Sequence, residues 1–286
     1  MEIRSVTLFC EPDLPPEAIR RFATAARGAF PLPVQTIRLA TPPFPDWWTA
    51  VSPTADTVAA QSLAAGWQAA GIDYASLGPV LLRHDAAWLR RIPTLLAATD
   101  SLFASAEIAS TTGEIDTGRC LALAGIVRQV STLRPDGFGN LYLTALAHCP
   151  PGSPFFPVAY HAGGPPTFAV AVESADLALA AIRAADTLAA ARANLVAAIE
   201  MAAAEVTTAA NALADRLRLP FAGIDFSLAP YPTGDKSLGG ALEALGLPHV
   251  GAAGSLFAAG LITEAIARAD FPRCGFSGLM LPVLED

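Results

Sequence analysis

The stretch 221–240, FAGIDFSLAPYPTGDKSLGG, carries Asp225, Ser227, Asp235, Ser237 and Lys236, the only lysine of this 286-residue chain. Asp225 lies in an apolar, strand-like run, where a carboxylate is costly to bury without a partner. Period-two alternation puts Gly223, Asp225 and Ser227 on one face and Ile224, Phe226 and Leu228 on the other. The polar face lines a cavity or closes a satisfied internal network. Asp235, Lys236 and Ser237 follow at the mouth of a predicted helix, whose free N–H groups and positive end suit an anionic ligand group. Asp235 and Ser237 also have a plainer reading as N-caps.

A second stretch, PFFPVAYHAGGPPTFAVAVE at 154–173, is stiffened by prolines and glycines into a rigid connection between two strands. Rigid loops hold polar groups in defined positions. His161 is suited there to shuttle a proton or ligate a metal, and Glu173, ending an apolar strand, supplies a carboxylate. The alternatives are a hydrogen bond from His161 to a loop carbonyl and a helix cap at Glu173. TGDKS is not a P-loop, since Asp235 separates Gly234 from Lys236 and residue 229 is alanine. DGFGN lacks the three spaced glycines of a dinucleotide fingerprint and leads into a strand. Neither a G-x-S-x-G elbow nor an H-E-x-x-H helix occurs.

These groups need a scaffold, and strand and helix alternate along the whole chain. Strands are predicted at 3–9, 34–39, from Tyr74, at 101–109, in LYLTALAHC, at 223–228 and at 279–284. Helices are predicted at 15–29, with Ile19, Phe22, Ala23 and Ala26 facing inward, and at 54–70 with Thr54 as cap. Others are a piece opened by His84, 115–133, two helices within 174–219, 237–245 and 255–268. The proline-rich TPPFPDWW is irregular, its paired tryptophans capping the core. His84 reads as a surface or capping residue. The alternation predicts one α/β domain over 1–286.

Composition narrows the partners. Hydrophobic residues make up 53% and charged residues 15%, which specifies a folded, well-packed chain. A net charge of −8 without a basic stripe disfavours nucleic acid. The most apolar window, 244–263, is broken by Pro248, His249 and glycines, so no membrane span is expected. Four cysteines without metal or redox spacing read as reduced, buried thiols in a cytoplasmic protein.

The runs IRSVTLF, DGFGNLYLTALA, PFFPVAYHAGG, FAVAVESADL, DFSLAPYP, GALEALG, GSLFAAGLIT and FSGLMLPVLED together resemble, in this order, the domain-of-unknown-function family 711. The resemblance implies kinship with the pyruvate formate-lyase barrel superfamily, hence a PFL-like closed barrel of ten mixed strands ringed by helices. It singles out Asn140, His161, Glu173, Asp225, Pro230, Ser277, Glu285 and Asp286, and brings no established activity. Members generally continue past LPVLED, which implies a closing portion of the barrel missing here or supplied by another subunit. RCGF at 273–276 departs from the R-V-x-G-Y segment of glycyl radical enzymes, so no glycyl radical is expected.

The leading expectation is an enzyme acting on a small anionic metabolite by acid–base or divalent-metal-assisted chemistry. In it His161 is base or ligand, Glu173 and Asp225 are orienting carboxylates, and Lys236 and Ser237 hold the anion beside Asp235, Ser227 and Asn140. The metal identity stays open. The alternatives are a non-catalytic metabolite sensor or structural subunit acting through a protein partner, and a satisfied core network in a degenerate relative. An exposed barrel edge would favour a homodimer.

Overall fold

The computed structural model describes residues 1–231, 233–282 and 286. Seven strands and eight α-helices are found among them. In chain order they are β1 (Glu2–Phe9), α1 (Pro16–Arg27), β2 (Val34–Ala40), α2 (Pro53–Ala69), β3 (Tyr74–Val80), α3 (Ile92–Ala97), β4 (Leu102–Ala109), α4 (Thr117–Val130), β5 (Leu143–Ala147), β6 (Thr167–Glu173), α5 (Ala175–Arg183), α6 (Leu188–Leu217), β7 (Phe221–Asp225), α7 (Leu238–Ala244) and α8 (Ser255–Arg268). The strand order is β5-β4-β3-β2-β1-β6-β7. The α/β class is as the alternation predicted. Ten strands were implied; the seven described lie in an order with two ends.

The chain divides into two compact units, one of residues 6–27 and 36–168, the other of residues 1–5, 28–35 and 169–286. In the first, β2, β3, β4 and β5 pair in parallel, with Leu39 opposite Ala75 and Ser105 opposite Thr144. Leu39, Leu77, Ala104, Ile92 and Leu95 are fully buried, as expected of parallel strands covered by helices. Ile19, Phe22, Ala23 and Ala26 form the buried face of α1. The register slips between Ser76 and Pro79. Gly78 there has φ +75°, and a Cβ would lie 2.5 Å from the Pro42 carbonyl oxygen. Pro79 has no N–H for the ladder, so the Gly-Pro pair marks the irregularity, after which Pro79 and Val80 pair again with Ser105 and Ala106 of β4.

Two helix starts differ from expectation. Ser52, not Thr54, caps α2, accepting from the Ala55 N–H at 3.3 Å. The piece after β3 begins as a 3₁₀ turn, Ala86–Arg91, capped by Asp85 rather than opened by His84. In both cases the residue immediately preceding a proline or alanine first turn takes the cap. Trp48 is buried and its Nε1 donates to Asp56 (2.8 Å), while Trp47 is half-buried and donates to the Pro42 carbonyl (2.9 Å).

In the second unit, α6 packs on α5 and α8, and two helices occupy 174–219 as the periodicity requires. The strand expected at 223–228 starts earlier, at Phe221, and ends at Asp225. Beyond it Leu228 makes a single bridge to Leu279, and Ile224 one to Arg273. The strand expected at 279–284 is represented by that one bridge; residues 283–285, with Glu285, lie outside the described residues.

Candidate functional site

In the first unit, polar side chains gather where the parallel strands end, the edge at which α/β folds commonly bind ligands. The central piece is the loop 81–84, Leu-Leu-Arg-His, after β3. Arg119, on α4 and only 5% exposed, donates Nη1 to the Leu81 carbonyl (2.8 Å) and Nη2 to those of Leu82 (3.2 Å) and His84. The Leu82 N–H donates to Glu107 Oε2 of β4 at 2.7 Å. The Leu81 N–H donates to His84 Nδ1 at 2.9 Å, which leaves the proton on Nε2 to be donated to Asp46 Oδ1 at 3.0 Å. Asp46 also receives both terminal nitrogens of Arg83, at 2.9 and 2.5 Å. It sits on a 3₁₀ turn, Phe44–Asp46, whose fully buried Phe44 meets Trp48 and Trp88 edge-on.

Electrostatics follow from these partners. The Arg83 guanidinium holds the Asp46 carboxyl below its usual range, against partial burial. Burial lowers the His84 pKa, and the hydrogen bond to Asp46 opposes this. Burial pushes the Tyr160 phenol up to about 12, with Glu107 adding to the rise; its hydroxyl donates to the Cys149 carbonyl at 3.0 Å. Tyr160, Val158 and Leu146 form a small core against which Phe155 packs.

His161 belongs to this edge. Its backbone N–H donates to the carbonyl of Thr41, the residue after β2, at 3.0 Å. Its Nε2 is 3.2 Å from the Gly164 carbonyl, whose N–H in turn donates to Glu11 Oε1, just after β1, at 3.1 Å. With Nε2 protonated and donating, Nδ1 keeps the lone pair of the ring. The loop-carbonyl alternative for His161 is thus realised at one ring nitrogen. Asn140, in the turn before β5, is half-buried, and its Oδ1 is buried with no partner among the described residues.

The second unit holds the remaining predicted residues. Glu173, 2% exposed, accepts from Lys236 Nζ at 2.7 Å and from Gln35 Nε2 at 3.1 Å. Gln35 also bonds Glu2 at 2.7 Å, and Glu2 lies 3.5 Å from Lys236, closing a circuit of four side chains. The Glu173 hydrogen bond raises the Lys236 pKa. One ammonium between two carboxylates leaves no net positive charge for an anion. Asp225 accepts from the Ser227 N–H (3.1 Å) and hydroxyl (2.5 Å), the Ser277 N–H (3.1 Å) and the Phe276 N–H (3.0 Å). Burial raises its pKa, while Ser227 and the backbone donors pull it back. That is the satisfied network rather than a group facing open space. Ser237 caps α7, accepting from the Gly240 N–H at 2.8 Å, and Asp235 is exposed.

Asp46, Arg83, Glu107 and Arg119 escaped the sequence reading, which took His84 for a surface or capping residue. The available signal was position: Arg83 and His84 come directly after a buried strand, at its carboxyl end. Among the described residues no group of three or more His, Cys, Asp or Glu side chains could hold a metal ion. No described helix is long and apolar enough to cross a membrane. A groove of about 510 Å³ opens at the opposite, amino ends of β3 and β4. Its Asp73 and Asp100 are already paired with Arg27 (2.8 Å) and Arg134 (2.6 Å).

Residues 17–286 match the family described as Uncharacterised ACR (DUF711). A UPF0210 protein of Pyrobaculum islandicum is 34% identical over 217 residues, covering 71% of this chain and 46% of its own length. Those of Clostridium beijerinckii and Syntrophotalea carbinolica are 28% and 29% identical, over 90% and 79% of this chain and 60% and 53% of their own lengths. The chain therefore spans between 46% and 60% of the length of these relatives.

Proposed function

The chain belongs to the DUF711 family, and on that premise we propose that it binds a small acidic metabolite at the carboxyl edge of β2–β5 and acts on it by acid–base chemistry, with His161 Nδ1 as the base. The observation carrying this reading is the immobilised loop 81–84, held by Arg119, Glu107 and its own histidine beside the strand ends. Such over-determination preorganises Arg83 and His84 for a ligand. The His161 loop is anchored to the same edge through Thr41 and Glu11. Lys236 with Glu173, and Asp225 with Ser227, serve here as structural pairs rather than as reacting groups. The described residues give a divalent metal no ligand set, so no step is routed through one.

The seven described strands would then be part of a PFL-like barrel working without a glycyl radical; their alternation with helices supports the α/β class that such a barrel needs. The four free cysteines suit a cytoplasmic setting. The test is a thermal-shift screen of hydroxy, keto, amino and phosphorylated acids, followed by NMR of the stabilising compound over time. A ligand at a hundred times its Kd stabilises by about 2.7 kcal/mol. The expected result is a compound converted by the protein and still bound, but no longer converted, by His161→Ala. A compound returned unaltered would instead establish the sensor alternative, and conversion undiminished in His161→Ala would refute the base.

A further inference from the structure

We propose that the Arg83 fork and the His84 Nε2–H form a carboxylate-binding cradle, which the side chain of Asp46 closes in the resting protein and a ligand carboxylate takes over. The proposal rests on the carboxyl-edge site above and names the acidic group that site selects.

Three donors converge on one carboxylate: Nη1 and Nη2 of Arg83 and Nε2 of His84, all within 3.0 Å. A guanidinium presenting two parallel N–H groups is the usual geometry for recognising a carboxylate. The His84 donor and the backbone that carries Arg83 do not depend on Asp46 for their placement; the guanidinium itself reaches Asp46 from an exposed side chain. His84 keeps its tautomer because the Leu81 N–H occupies Nδ1, and the backbone of Arg83 is fixed by Arg119 and by Leu82 on Glu107. Asp46 belongs to another element, anchored by Phe44, so opening the cradle requires only rotation of one aspartate side chain.

Accessibility supports exchange. The Arg83 side chain is 58% exposed and that of Asp46 36%, so water and a ligand reach the pair from outside. Exposed ion pairs are weak, so a ligand with a second attachment at the edge displaces the Asp46 carboxylate. Free monocarboxylates lack that second attachment and compete poorly with a carboxylate already tethered in place.

The experiment uses acetate as probe on the full chain, at ionic strength matched with sodium chloride, reading the His84 ring and Arg83 guanidinium NMR resonances. In Asp46→Ala acetate should produce saturable shifts at both residues, with a Kd lower than in the wild type by at least about tenfold. Adding Arg83→Gln to that variant should abolish them. Asp46→Asn keeps the side-chain volume and gives the same reading should Asp46→Ala unfold. Folded variants without saturable shifts would overturn the proposal. So would the unfolding of both, because an exchangeable closure cannot be indispensable to the fold. Failure here with His161→Ala still blocking conversion removes the cradle alone; intact acetate binding with undiminished conversion in His161→Ala removes the base alone.

Discussion

Replacing Arg119 by methionine isolates what holds the loop 81–84 in place. The side chain is 5% exposed and donates to three carbonyls. Hydrogen bonds to a charged donor contribute about 1.5–3 kcal/mol each, but these three share one rigid guanidinium and are not additive. Leu81, Leu82 and His84 are partly exposed to water, which can re-solvate part of what is lost. The expected cost is therefore about 3–5 kcal/mol, near that of breaking a buried charged network. For a chain of this size that lowers Tm by about 5–8 °C in calorimetry. Arg119→Lys should recover only part of it, since one ammonium cannot span three acceptors in fixed directions. The second readout is local: the His84 ring resonances should broaden or shift in Arg119→Met. A drop below about 2 °C with the His84 signals unmoved would refute the claim that Arg119 builds this site.

The other expectations concern single positions. The His84 imidazole, held neutral by burial, should titrate below the ordinary value in an NMR pH series. Its contribution to stability is present above about pH 6.5 and is lost as pH falls towards the folded pKa, and Asp46→Ala should lower the midpoint further by removing the opposing hydrogen bond. Asp225→Asn sets an amide N–H₂ against the Phe276 N–H and should cost about 2 kcal/mol in denaturant unfolding. Because burial raises the Asp225 pKa, its contribution is present below the unfolded carboxyl range and is lost as pH rises through the folded pKa; the Asn variant should lose that slope. Gly78→Ala combines φ +75° with a 2.5 Å approach to Pro42 and should destabilise by about 3 kcal/mol, or leave only insoluble protein. Cys10, its thiol pushed up to about 12 by burial, should resist alkylation at pH 8 in the native chain and react on unfolding, as mass spectrometry would show.

Most elements were legible because their signals are local. The face of α1 follows from the spacing of Ile19, Phe22, Ala23 and Ala26, and the presence of two helices within 174–219 from a helical apolar spacing interrupted by arginines; where the first ends, after Arg183, only the structure shows. The proline-glycine character of the segment before β6 marked an irregular connection between two strands, and Asp225 was rightly marked as needing a reason. Its reason proved to be four donors, the Phe276 and Ser277 N–H groups some fifty residues away and the N–H and hydroxyl of Ser227, two residues on; that count of donors is not visible in a strand pattern. Caps at Ser52 and Asp85 were misplaced because two polar residues competed for each helix start, and only backbone geometry chooses between them.

The sequence by itself determined the alternation of strand and helix, the inward faces and the family, since periodicity, turn residues and rare runs are properties of neighbours along the chain. Tertiary structure alone decided which polar groups share charge. Lys236, attractive as a free cation, is placed between Glu173 and Glu2, 63 and 234 residues away in the chain. His84, unremarkable beside Asp85, is placed on Asp46, 38 residues earlier, with Arg119 beneath it. A side chain's charge state and availability depend on what lies within a few ångströms, and in a parallel sheet those neighbours arrive from different strands and helices, at separations that no local pattern encodes.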